Sequence, residues 1–160
     1  MNNLPKYFNP FSFSGNWVLD RTAKFYLKNS YKSVNLRALT SLTKSVCSVL
    51  PNIKKRSQNQ DVKNLYFSGS ISRITATSIS LLDEFGATEQ DFSSSMKDIA
   101  GEVINTLKGS YLIESDDEVA KKVIAGAVVG SKDVGINNST SIATNIAMEI
   151  YNEELNGSLD

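Results

Sequence analysis

Apolar positions along this chain of 160 residues recur mostly at intervals of three and four, the spacing of one face of a helix. Leu27, Tyr31, Val34, Ala38, Leu42, Val46 and Val49 make one such series. With Asp20 as an N-cap and Pro51 as a stop, it predicts a long helix over about Arg21 to Leu50, and Asn29–Ser30 or Ser33 offers a place for a break. Phe92, Met96, Ile99, Val103 and Leu107 repeat in the same way. Thr88 opens that helix with Asp91 in the capping-box position, and Gly109 closes it. Ser115-Asp116-Asp117-Glu118 spells a capping box for a third segment, whose apolar residues Val119, Val123, Ile124, Ala127 and Val128 run to Gly130. A last helix starts at Ser139 or Ser141 and carries Ile142, Ile146 and Ile150 towards Gly157.

Two stretches do not follow this pattern. In residues 61–80, Val62, Leu65, Ile71 and Ile74, continued by Leu81, Leu82 and Phe85, fit a helical stripe. Leu65-Tyr66-Phe67 and Ile79/Leu81 around Ser68-Gly69 fit a hairpin as well, so the helix is the expectation and the hairpin its rival. The first nineteen residues crowd Tyr7, Phe8, Phe11, Phe13 and Trp17 between Pro5, Pro10 and Gly15, which predicts an extended aromatic arm. Such an arm either folds over its own core or lies on a neighbour. The expected class is therefore all-α: a small bundle or array of 4–6 helices in one domain over 20–160, preceded by the arm over 1–19.

Charge changes this picture more than composition does. The net charge is zero, from 17 basic and 17 acidic residues. Residues 1–75 hold 12 Lys/Arg and 2 Asp/Glu, and residues 76–160 hold 5 and 15, so the halves carry +10 and −10. Hydrophobic residues at 41% and charged residues at 21% are those of a globular chain with a core. Histidine is absent, which removes the commonest general base and metal ligand. Cys47 stands alone, so neither an internal disulfide nor a thiolate zinc site is available, and Val46 and Val49 beside it predict a small buried hydrophobe. The start lacks an apolar run, and the longest apolar stretch, Val123 to Gly130, is far short of the roughly 20 residues of a membrane span. A cytoplasmic place, or one inside an assembled particle, is expected.

The motifs that carry chemistry are weak. Ser41-Leu42-Thr43-Lys44 and Ser94-Ser95-Met96-Lys97 spell S-x-x-K, but the companion K-T-G of penicillin-recognising enzymes does not occur. Asp83-Glu84 and Asp116-Asp117-Glu118 are the tightest acid groups, and the second lies where a helix N-terminus stabilises negative charge. Asp133 to Asn138 has the oxygen-rich start of a calcium loop without its closing acid. No phosphate-binding glycine motif is present. Gly126 and Gly130 mark a close approach between helices or an oligomer contact.

The basic half carries the one functional signal of weight. Arg21, Lys24, Lys28 and Lys32 step along one helix edge, and Lys54, Lys55 and Arg56 follow Pro51. These side chains can meet phosphates, with Phe25, Tyr26, Tyr66 and Phe67 stacking on bases, or they can meet an acidic protein face. A sequence pI of about 6.3 favours the protein face. The expectation is a non-enzymatic association or assembly subunit without cofactor or metal, in a homo- or hetero-oligomer. Its size and its many Asn, Lys and Ile residues fit a phage- or plasmid-borne component. A nucleic-acid accessory factor is the rival, followed by an inhibitor that mimics a polyanion.

Overall fold

The computed structural model describes residues 32–52, 60–110, 113 and 115–159, which form five α-helices and, among the described residues, no strand. Helix α1 spans Lys32–Val49 and runs into a 3-10 turn at Leu50–Asn52; α2 spans Gln60–Ser80, α3 Glu89–Leu107, α4 Asp116–Ser131 and α5 Ser139–Leu159. The all-α expectation holds. The arm over 1–19, the stretch 20–31 and most of the connector lie outside the described residues.

Helix α2 replaces the rival hairpin, and burial explains why its pattern was ambiguous. Every residue from Ile74 to Ile79 is buried, so this part of the helix is enclosed on all sides and shows no polar face. Two hydroxyls of α2 bond back to carbonyls of the same helix. Thr75 Oγ1 donates to the Ile71 carbonyl at 2.9 Å and Ser80 Oγ to that of Thr77 at 2.7 Å, so residues of weak helix propensity add no unpaired polar group.

Helices α2 and α4 cross at close backbone contact. A Cβ placed on Gly126 would overlap the Ser72 carbonyl oxygen and stand 3.0 Å from Thr75 Cβ. One placed on Gly130 would overlap the Ala76 carbonyl oxygen and stand 2.9 Å from Ala76 Cα. Both glycines lie four residues apart on α4, and the groups they touch lie four apart on α2, so the two helices run parallel in register. Ser72 Oγ bridges them, donating to the Lys122 carbonyl at 3.1 Å.

Helix α3 lies antiparallel to α2 and supplies the densest apolar face. Phe92, Met96, Ile99, Val103 and Leu107 are all fully buried, as their spacing predicts. On α1 the buried face differs from the predicted stripe. Asn35, Leu39, Thr43, Val46, Cys47 and Leu50 are buried, whereas Ala38 and Leu42 are partly covered and Val49 is 48% exposed. The helix is thus rotated by about one residue, or 100°, because Asn35 and Thr43 occupy core positions. Thr43 earns its place through a 2.7 Å hydroxyl–hydroxyl bond to Ser78.

Short connections end the helices where the sequence places stop and start signals. Gly86 and Gly109 both adopt positive φ, 97° and 74°, which only glycine enters without strain. The Thr88 backbone N–H and hydroxyl both donate to Asp91 Oδ2, at 3.1 and 2.9 Å. Ser115 Oγ accepts from the Glu118 backbone N–H at 3.1 Å. Two carboxylates then tie loops together across the fold: Asp116 Oδ1 accepts from Gly109 N–H, and Asp83 Oδ2 from Gly135 N–H, each at 2.9 Å.

The glycine contacts predict opposite signs for one substitution. Gly126→Ala and Gly130→Ala should each destabilise the protein by about 1–3 kcal/mol, because backbone must move to admit a methyl group. At Gly101 on α3 a Cβ meets nothing within 4 Å, so Gly101→Ala should stabilise by up to about 1 kcal/mol through helix propensity. Urea unfolding midpoints of the three variants check this.

Candidate interaction surfaces

Chemistry-bearing residues in the described part of the chain are tied into structural pairs. Lys44 and Lys97, the lysines of the two S-x-x-K matches, face carboxylates and not serines: Lys44 Nζ lies 3.9 Å from Glu102 Oε2, and Lys97 Nζ 2.8 Å from Glu149 Oε1. Ser94 donates to the Asp91 carbonyl at 3.1 Å. Lys121 bridges Asp117 and Glu118 at 3.0 and 3.3 Å. Both Lys97 and Lys121 are held above the ordinary lysine pKa, the first chiefly by its bond to Glu149, the second by Asp117 and then Glu118. No group of three or more His, Cys, Asp or Glu gathers in a metal-binding arrangement among the described residues. Among them, no helix is long and apolar enough to cross a membrane.

The residues singled out by sequence fall mostly beyond this part. Arg21, Lys24, Lys28, Lys54, Lys55 and Arg56, and Tyr7, Phe8, Phe11, Phe13 and Trp17 in the arm, lie outside the described residues, and Lys32 is the first residue of α1. Gly126 and Gly130 sit in the α2–α4 crossing, inside the chain's own fold.

Two surface features remain. A cleft of about 340 Å³ runs between α1 and α3, where Arg37, Thr40 and Ser41 of the basic half face Ser95, Asp98 and Glu102 of the acidic half. The two helices run parallel here, so Leu36 lies towards the start of α3 and Lys44 beside Glu102. Among the second half's lysines, Lys97, Lys108 and Lys121 each pair with acids of that same half, at 2.8 to 3.4 Å. Pairing across the seam, at Lys44–Glu102, is longer and solvent-exposed, and such pairs contribute little.

The second feature is apolar. Ile124, Ala125 and Val128 of α4 and Ala147, Met148 and Tyr151 of α5 line an open groove of about 450 Å³. Met148 is 62% exposed, and Val129 next to the groove is 49% exposed. Sequence reasoning placed Ile124 and Val128 in the core stripe and did not consider Met148, so the groove went unseen. The helix wheel of α5 carries the signal, since Met148 falls outside the Ile142–Ile146–Ile150 series. No protein-family model, characterised protein or solved structure matches this chain.

Cys47 is fully buried, and burial pushes its thiol pKa up to about 12. An unfolded thiol ionises near about 8.5, so the folded state binds the proton more tightly. The resulting contribution to stability is intact below that pH and is lost as pH rises towards about 12. Alkylation at pH 8 should be ~100-fold or more slower than in urea, because it requires opening of the core. Stability should also fall more steeply above pH 9 than in Cys47→Ala.

Proposed function

We propose that this chain is a non-enzymatic association subunit that meets neighbouring protein surfaces through oppositely charged faces. The observation that supports this most is the separation of sign between elements. The second half carries fifteen acids against five bases, and Lys97, Lys108 and Lys121 are engaged within it. Its acid excess is a complement for basic side chains, and the stretch from Arg21 to Gln60 carries nine of them with no acid. A basic face on the acidic face of the next copy is a heterologous contact, which builds rings or filaments instead of two-fold dimers. The setting is the cytoplasm or the interior of an assembled particle, with no metal or cofactor taking part.

Native mass at two ionic strengths tests this. At about 0.02 M salt the protein should exceed the mass of one chain, and at about 1 M, where the Debye length is near 3 Å, it should return to it. Single-chain mass at both salts, together with salt-sensitive binding of an added oligonucleotide, would replace the protein partner with nucleic acid.

A further inference from the structure

Among the described residues, the groove between α4 and α5 is open and mainly apolar. Ile124, Ala125, Val128, Ala147 and Tyr151 form its walls, and Met148 stands 62% exposed at its edge. An open groove with a mainly apolar lining is a candidate docking surface. The same chain carries five aromatic residues from Tyr7 to Trp17, with no acid in the first nineteen residues. The thioether of Met148 is also a favourable neighbour for aromatic rings.

Topology brings the two together. Helix α1 runs parallel to α3, as the Leu36–Ser95 and Lys44–Glu102 ends of their cleft show. Lys32 therefore lies at the end of the bundle where α3 begins. The loop between α4 and α5 lies at that end too, since Asp83, in the turn before α3, holds Gly135. From α1 through α3 to α5 is two helix-to-helix steps, about 20 Å at the usual 8–10 Å each. The 24 residues between Tyr7 and Lys32 reach about 80 Å when extended. If residues 21–31 continue α1 and carry the chain some 17 Å away, the thirteen residues 8–20 still reach back about 43 Å.

We propose that the aromatic segment Tyr7–Trp17 of the same chain seats in the α4–α5 groove. Tethering makes this an intramolecular event at an effective concentration in the millimolar range, which a separate copy would have to match. The arm then serves as a strap over Met148, and the charged faces remain free for the association proposed above.

Trp17 is the only tryptophan, so its fluorescence reports on the arm. A second reporter, Phe11→Trp in a Trp17→Phe background, places the indole at the centre of the segment. Measured on the full chain at about 1 M salt, where charge-driven association is screened, at least one indole should show blue-shifted emission and protection from acrylamide. Protection should persist over a hundredfold dilution. Met148→Lys and Ala125→Glu change exposed positions, so helicity should be retained while the ratio of docked to free arm falls by about tenfold or more, since docking would desolvate a charge. Any one of three results overturns the proposal: both indoles fully quenched in the unsubstituted groove, protection unchanged by the two groove variants, or protection lost on dilution. The last would place the arm on a neighbouring copy.

Discussion

Helices α2 and α4 touch backbone to backbone at Gly126 and Gly130, and the remaining packing is arranged around that contact. Two helices that approach so closely leave no room for large side chains between them, so α2 presents Ser72, Thr75 and Ala76 there. Small hydroxyl residues are poor helix formers in isolation, because they compete for their own backbone. In this setting they are useful: Thr75 and Ser80 bond back to carbonyls of α2, and Ser72 reaches the backbone of α4. With α4 against one side and α1 and α3 packed on others, α2 is buried at every position from Ile74 to Ile79.

The consequences run outward from there. Large apolar residues concentrate on α3, whose fully buried face from Phe92 to Leu107 fills the space beside α2. Parallel α2 and α4 require a connection that returns along the bundle, which α3 provides. The turns are then fixed by carboxylates and not by bulk, with Asp83 holding Gly135 and Asp116 holding Gly109. Several acids of the acidic half thus have a structural use, while others, with their few lysines, form the solvated surface of α3 and α5. Among the described residues, Arg37 and Lys44 of α1 lie beside Asp98 and Glu102 of α3, so basic and acidic side chains sit on different elements.

Legibility in the sequence followed how amphipathic each element is. Helix α3 has one apolar stripe and a solvated back, and its five predicted core residues are all buried. Its start at Thr88 and that of α4 at Ser115 were readable because a cap is a local hydrogen-bonding problem. On α1 the face was misjudged by one position, since Asn35 and Thr43 look like surface and Val49 like core. Thr43 is satisfied in the core by the Leu39 carbonyl four residues back and by Ser78, 35 residues away, and the second partner lies beyond any local pattern. Among the described elements α2 was the least legible, because unbroken burial from Ile74 to Ile79 erases the period on which the inference rests. Of the surfaces, the charge reversal is plain in the sequence, whereas the groove depends on how α4 and α5 lie side by side.

Native-state hydrogen exchange, resolved by residue, addresses the central place of the α2–α4 crossing most directly. If that contact organises the fold, amides of Ile71–Ile79 and Val123–Gly130 should be the slowest in the molecule and exchange only through global unfolding. Slowest exchange in α3 or α5, with α2 opening locally at lower free energy, would contradict it.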